Sequence, residues 1–180
     1  MKQQKIVLIG APGSGKTSIM KTLEKRGFCC KQEISRQVIL EAKEKGIDQL
    51  FLKDPLLFSK ILVESRERQF IEASKKNEKL VFFDRGIPDV TAYLDFFNTK
   101  FPEDFSIKNT TYIYDMVFYF PPWKEIYQQD NERYESFEEA KKIDEYLLNT
   151  YNNLGYSIIK VPFDSIESRT DFILNSLKSE

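Results

Sequence analysis

Short apolar runs alternate along the chain with longer segments in which apolar side chains recur at helical spacing. Runs of this kind are typical of buried strands, and five are present, over residues 5–9, 28–34, 79–84, 115–120 and 156–161. Strands that alternate with helices favour a parallel sheet with helices on both faces. The pattern therefore predicts a three-layer α/β fold built on a five-stranded parallel sheet.

Capping residues mark the ends of the helical segments between these strands. Gly27 and Gly46 follow helical patterns as glycines that end a helix do, and Ser136 with Glu139 forms a capping box that begins one. The pattern predicts helices over 16–26, 35–45, 55–77, 88–98 and 136–153, and beyond the cap at 164–167. The segment 99–114 fits neither pattern. Because no repeat or low-complexity segment interrupts the chain, we expect residues 1–180 to form a single domain.

The segment from Gly10 to Thr17, GAPGSGKT, directly follows the first strand and fits the P-loop pattern G-x-x-x-x-G-K-[ST]. Glycines at these positions let backbone N–H groups curl around phosphate oxygens, and the following helix adds the positive end of its dipole. In such a loop the lysine, here Lys16, reaches the β- and γ-phosphates, and the Thr17 hydroxyl coordinates Mg²⁺. The predicted nucleotide-binding residues are Gly10, Gly13, Ser14, Gly15, Lys16, Thr17 and Ser18.

Asp84 ends an apolar strand, so it is expected to face the ligand crevice at the carboxyl edge of a parallel sheet. An acid there can hold Mg²⁺ directly or through water. Arg85 stands where ATP-hydrolysing machines of the AAA type carry a glutamate, and it can bind phosphate through its guanidinium. The alternative for Arg85 is a structural ion pair. The Asp84–Arg85 pair resembles that of P-loop nucleoside and nucleotide kinases, such as thymidylate kinase and deoxynucleoside kinases.

This resemblance implies roles for four further residues. In deoxynucleoside kinases an acid near the position of Glu33 acts on the acceptor hydroxyl, so Glu33 is a candidate general base or orienting group. The alternative is an exposed charge at a strand end. Arg36, one helical turn later, would bind an acceptor phosphate or neutralise Glu33. Arg66 and Gln69 share one helical face and resemble the arginine and glutamine that approach the acceptor in thymidylate kinase.

Longer motifs resemble those of small bacterial AAA-like predicted ATPases with a kinase fold, and the similarity spans most of the chain. The motifs are Glu-x-x-Arg at 33–36, FFDRGIPD at 82–89 and PPW at 121–123, and nicotinamide riboside kinases look similar in the last two regions. The resemblance implies a P-loop NTPase fold, binding of ATP with Mg²⁺, and a lid near 121–136. Arg133 is the candidate lid arginine, closing over the phosphates as charge develops; an exposed loop arginine is the alternative.

Composition changes this picture mainly by exclusion. The 180 residues include no histidine, which excludes histidine bases, Ser-His triads and histidine metal sites. A net charge of −1 favours neither a nucleic-acid nor an anionic-membrane partner. Cys29 and Cys30 are adjacent and have no distant cysteine as a partner, so we expect two reduced thiols in a cytoplasmic protein, with a reactive pair as the alternative. No signal-peptide pattern precedes the first strand and no apolar stretch is long enough to cross a bilayer, so we expect a cytoplasmic location.

These features predict a Mg²⁺- and ATP-dependent phosphotransferase whose acceptor is a small metabolite with a hydroxyl or phosphate group, a nucleoside or nucleotide being the candidates. The predicted catalytic residues are Lys16, Glu33, Asp84, Arg85 and Arg133. Two alternatives stay open: a regulatory ATPase that acts as a switch with a protein partner, and a module that binds nucleotide without catalysis. The absence of a glutamate after Asp84 disfavours fast hydrolysis. A homodimer formed through the helices that cover the sheet also stays open.

Overall fold

A computed structural model describes residues 2–44, 46–47, 50–127 and 136–178, apart from the side chains of Arg36, Phe51 and Leu52. The strands are β1 (Gln4–Ile9), β2 (Cys29–Lys31), β3 (Leu80–Asp84), β4 (Met116–Tyr119) and β5 (Ile158–Lys160). They form one five-stranded sheet in the order β2-β3-β1-β4-β5, and all neighbouring strands are parallel. The predicted parallel five-stranded sheet is confirmed.

Helices connect these strands over most of the chain. Within the described residues they are α1 (Lys16–Lys25), α2 (Ser35–Glu44), α3 (Leu50–Lys53), α4 (Pro55–Ser74), α5 (Ile87–Phe96), α6 (Glu103–Thr111), α7 (Phe137–Asn153) and α8 (Ile166–Ser176). None of the described helices combines the length and the apolar composition that crossing a membrane requires.

Apolar residues on both sides of the central strand β1 produce the layered architecture. Ile6 and Leu8 pack with residues of α1 and α8, whereas Val7 and Ile9 pack with residues of α4 and α7 on the other face. All four side chains are fully buried, as expected of a parallel strand that is covered on both faces. The molecule therefore has the three predicted layers.

The parallel arrangement brings the carboxyl ends of the strands to one edge of the sheet. Leu8 of β1 is paired with Asp84 of β3, and Ile9 is paired with Tyr119 of β4. The loop that follows Ile9 therefore lies between the ends of two neighbouring strands. In open α/β sheets this edge is where ligands bind.

Candidate functional site

The loop that connects β1 to α1 has the backbone conformation of an anion-binding loop. Gly10, Gly13 and Gly15 have φ angles of 143°, 79° and 90°, in the region that favours glycine. A Cβ on Gly10 would overlap the backbone oxygen of Phe120, so a side chain there is excluded. Because α1 begins at Lys16, the unpaired N–H groups and positive dipole end of that helix face the loop.

Lys16 is folded against this loop. Its Nζ donates hydrogen bonds to the backbone oxygens of Gly10 (2.7 Å) and Ala11 (3.0 Å) and to Ser14 Oγ (3.0 Å). Its exposed fraction is 5%, and this burial is the main reason that the pKa of Lys16 falls to about 7, with Arg85 lowering it further. A bound anion would raise the pKa of Lys16 again, because a nearby negative charge favours the ammonium form.

Asp84 lies beside the loop at the end of β3. Burial is the main cause that raises the pKa of Asp84 to about 6, and the charge of Lys16 opposes this rise. Thr17 and Ser18, by contrast, are exposed in the first turn of α1. Within the described part of the chain, no three histidine, cysteine or acidic residues gather into a metal site. Mg²⁺ does not require such a cage, because it commonly takes one or two carboxylates and completes its shell with phosphate and water.

Arg85 connects the loop to the two carboxylates that surround it. Its backbone has φ of 74°, which is uncommon for a residue with a side chain. Its Nε pairs with Glu33, its Nη1 lies 3.6 Å from Asp89 Oδ1, and Nη1 also donates a long hydrogen bond of 3.4 Å to Gly10 O. The guanidinium is therefore next to the loop and is already engaged in ion pairs.

Glu33 pairs with two arginines, so it is not the exposed charge at a strand end that was the alternative. Arg66 donates from Nη2 to Glu33 Oε1 (3.2 Å) and from Nη1 to the backbone oxygen of Gly86 (2.7 Å). Burial alone would raise the pKa of Glu33, but Arg66, Arg85 and the backbone N–H of Ser35 outweigh it and lower the pKa to about 2. Glu33 is therefore an anion at neutral pH and, in this arrangement, a weak proton acceptor.

The other residues predicted for the acceptor site have mixed outcomes. Gln69 lies one helical turn after Arg66, and its side-chain amide donates to Gln32 O (3.0 Å), next to Glu33. The structure therefore brings Glu33, Arg66 and Gln69 together, and Arg66 and Gln69 share one helix face as their spacing suggested. Arg133 lies outside the described residues, and so does the side chain of Arg36.

Two carboxylates to which the sequence alone assigned no role support this edge of the sheet: Asp144, and Asp89 at the end of the FFDRGIPD motif. Asp144 of α7 accepts a hydrogen bond from Tyr119 and a long one, of 3.4 Å, from the Ala11 N–H in the loop. Asp89 of α5 accepts from the Gly86 N–H (2.8 Å) and from the hydroxyl of Tyr151 (2.7 Å). Asp144 belongs to an amphipathic helix and Asp89 to a helix that is buried over most of its length, so spacing alone gave no sign of the contacts that these acids make.

Arg169 of α8 is the third residue that sequence reasoning missed. Its Nη2 donates to the backbone oxygen of Ser14 in the loop (3.0 Å). Its guanidinium also lies over the rings of Phe120 (4.8 Å) and Trp123 (5.5 Å). In the sequence, the PPW segment placed an aromatic side chain, Trp123, at the start of the predicted lid. It gave no indication that Trp123 would contact an arginine 46 residues later.

The described part of the predicted lid, residues 121–127, lies against the loop. A Cβ on Gly13 would come within 2.6 Å of the Tyr127 ring, and one on Gly15 would come within 3.2 Å of Ile126 Cδ1. Tyr127 also packs edge-on against Phe137 at the start of α7. The segment that begins the predicted lid therefore contacts both the loop and the helix that follows.

Comparisons with known proteins agree with this geometry. A family model described as an AAA domain matches residues 5–169. A search of curated proteins finds no match.

Two similar solved structures are kinases, and a third is the NadR protein. A deoxyadenosine kinase from M. mycoides with bound dCTP has a TM-score of 0.70 at 16% identity, covering 98% of this chain and all of that one. A thymidylate kinase from Ehrlichia chaffeensis has a TM-score of 0.66 at 15% identity, with coverage of 98% and 100%. The NadR protein in complex with NR has a TM-score of 0.72 at 14% identity; 98% of this chain matches half of that one. At these identities the similarity shows the fold.

Proposed function

The chain belongs to the AAA domain family, and from this premise we propose that it is a Mg²⁺- and ATP-dependent phosphotransferase with a small hydroxyl-bearing acceptor. The family match and the kinase-like P-loop NTPase fold confirm the fold predicted from sequence, and they support a kinase-like phosphotransferase or ATPase. The observation that carries the proposal is the convergence of Lys16, Asp84, Arg85 and Glu33 at one edge of the sheet.

The loop would bind the nucleotide phosphates through backbone N–H groups and the ammonium group of Lys16. Phosphate oxygens would replace the loop oxygens that hold Lys16 in the free protein. The residues that would hold Mg²⁺ are Thr17 and Asp84, and the ion would neutralise phosphate charge as phosphoryl transfer proceeds. Positioning and charge compensation, rather than covalent chemistry, would then supply most of the rate enhancement.

The ion pairs favour a hydroxyl over a phosphate on the acceptor. Glu33, which we place in the acceptor site, pairs with both Arg66 and Arg85. A phosphate ester would have to compete with that carboxylate, which is ionised at neutral pH because its pKa lies at about 2. Glu33 would instead orient an acceptor hydroxyl. The similar structures hold NR in one case and deoxynucleotides in another, so we propose a nucleoside as the acceptor.

Two further assignments are also proposals. The segment 121–136 would act as the lid, and Arg133 within it would approach the transferred phosphoryl group. Arg36 would contact the acceptor from the first turn of α2.

Incubation with γ-labelled ATP, Mg²⁺ and a set of nucleosides beside their 5′-monophosphates tests the proposal. We expect label on nucleosides, less on monophosphates, and loss of transfer by at least about a hundredfold in Lys16→Ala, since that lysine compensates phosphate charge. Lys21→Ala, an exposed lysine on the same helix, is the matched control and should keep full activity. Label released only as phosphate, and only with a protein partner, would favour the regulatory ATPase instead. ATP affinity that survives Lys16→Ala unchanged would contradict the phosphate-binding assignment.

A further inference from the structure

Arg169 is a buried cation in a part of the site that the proposed reaction does not use. It lies in the first turn and a half of α8, after the N-cap Ser165, and its exposed fraction is 2%. Its Nη2 donates to Ser14 O at 3.0 Å, and its Nε is buried without a hydrogen-bond partner in the described structure. A buried guanidinium with an unpaired N–H costs stability, so stabilisation of the fold is a weak explanation for an arginine here.

The other side of this contact is the peptide between Ser14 and Gly15. All described peptide bonds are trans, and in a trans peptide the carbonyl oxygen and the following N–H point in opposite directions. A carbonyl of Ser14 that is held toward α8 therefore turns the Gly15 N–H away from α8. Gly15 immediately precedes Lys16, whose ammonium group is bonded to the loop.

Aromatic rings and close packing hold the guanidinium in this position. Its carbon lies 4.8 Å from the centre of the Phe120 ring and 5.5 Å from that of Trp123, which is the range of cation–π contacts. Its Nη1 would come within 2.8 Å of a Cβ on Gly15. The planar, permanently charged group of an arginine suits this slot between rings and backbone, whereas a lysine cannot stack in the same way.

We propose that Arg169 is a positioning residue for nucleotide binding: by holding Ser14 O, it directs the Gly15 N–H toward the bound phosphates. A charged donor on the carbonyl also polarises the peptide, which makes the N–H a stronger donor. Arg169 itself does not touch the phosphates in this assignment. The inference rests on the proposed nucleotide site and adds Arg169 of α8 to it.

Calorimetric binding of ATP and of inorganic tripolyphosphate to the full chain tests this assignment. We expect Arg169→Met, which keeps an unbranched apolar stem but removes the donors, to weaken both ligands by roughly tenfold or more. The Gly15 N–H would no longer be held toward the phosphates, and a lost hydrogen bond to a charged group has an effect of this size. Arg169→Lys should recover part of the loss. Tripolyphosphate is included because it has no base, so a weaker affinity for it shows that the phosphate site itself has changed.

Arg26→Met is the matched control. Arg26 also reaches α8, through ion pairs with Glu167 and with Asp171 (2.5 Å), but it lies away from the loop. We expect Arg26→Met to keep both affinities within twofold. An equal loss in Arg26→Met and Arg169→Met would mean that general docking of α8 is responsible, and it would overturn the proposal.

The Gly15 amide signal in ¹⁵N NMR spectra gives a readout that docking alone does not move. Addition of tripolyphosphate should shift this signal downfield in the wild type and less so in Arg169→Lys. If Arg169→Met does not fold, Arg169→Lys alone tests the proposal. The proposal would be overturned if this variant bound both ligands as tightly as the wild type and its Gly15 amide signal moved as far when tripolyphosphate was added. A wild-type chain that binds neither ligand would instead overturn the proposed function, so the two failures are distinguishable.

Discussion

At the residue scale, the buried carboxylate of Asp144 contacts the loop and makes the stability of the protein depend on pH. Burial is the main cause that raises the pKa of Asp144 to about 6, while the bonds from Tyr119 and from the Ala11 N–H oppose the rise. The raised value means that the ionised form is unfavourable in the folded protein. Between about pH 4 and pH 6 the unfolded chain releases this proton and the native chain keeps it, so stability falls as the pH rises through that window.

Replacement of Asp144 by asparagine should therefore stabilise the protein at high pH. An asparagine can still accept from Ala11 and donate to Tyr119, but it has no charge to bury. We expect Asp144→Asn to exceed the wild type by on the order of 2 kcal/mol at pH 8 and to match it near pH 4, as measured by urea unfolding. Asn149→Ala, at an exposed position without charge on the same helix, is the control and should show no such dependence. A constant difference at both pH values would contradict the assigned cause.

Residues whose role follows from local sequence were predicted, and residues whose role depends on distant partners were not. The glycines and Lys16 could be assigned because the P-loop is one continuous segment. For Arg85 the sequence left phosphate binding and an ion pair open, and the fold supplies the ion pairs with Glu33 and Asp89. Asp144 and Arg169 reach the loop from 133 and 155 residues away, and one sequence contains no sign of such contacts.

At the scale of elements, the start of α7 was predicted from a capping box in the sequence. Ser136 Oγ accepts from the Glu139 N–H (3.2 Å), and the Glu139 carboxylate accepts from the Ser136 N–H (2.8 Å). This is the predicted capping box. Because α7 carries Asp144 and Tyr151, its start helps to fix both residues against the site.

Loss of this cap should weaken the helix while leaving the side chains of the site unchanged. We expect Ser136→Ala to lower the free energy of unfolding by about 1 kcal/mol, since the Glu139 N–H at the helix start loses its acceptor, Ser136 Oγ. Chemical denaturation measures the change. The control is Ser157→Ala, an exposed serine outside any helix, and it should be nearly neutral; an equal effect in both variants would rule out the cap as the cause.

Other elements were predicted less well, for physical reasons that differ. α6 (Glu103–Thr111) falls in the segment 99–114, which fitted no pattern, because only Phe105 and Asn109 on that helix are buried. β2 covers Cys29–Lys31 rather than the predicted 28–34, because it is an edge strand paired on one side only. α4 ends at Ser74 rather than 77, a difference that is normal for helix ends.

At the scale of the whole molecule, a ligand that binds only the folded chain must raise its thermal stability. ATP at about one hundred times its dissociation constant adds about 2.7 kcal/mol, which for a chain of this size corresponds to roughly 5–10 °C. We expect such a rise in Tm with MgATP, followed by calorimetry or dye fluorescence. Lys16→Ala should show little shift, and a similar rise in that variant would mean that ATP binds elsewhere.

The sequence also predicted the fold class but not the order of the strands. Alternation of strands and helices is a local pattern, and it was sufficient for a parallel sheet with two covered faces. Strand order depends on which strands pair across long connections, as β1 does with β3 and β4. That information lies in packing between distant segments, and no periodicity expresses it.

The bond between Ser14 and Arg169 joins residues that are 155 positions apart in the sequence, and this has a consequence for synthesis. A ribosome makes the loop well before Arg169, and it makes β3 and β4, the two neighbours of β1, in between. A nascent polypeptide that still lacks α8 therefore has the loop but not its contact with Arg169. Under the proposed role of Arg169, full affinity for nucleotide would arise only after α8 has been made.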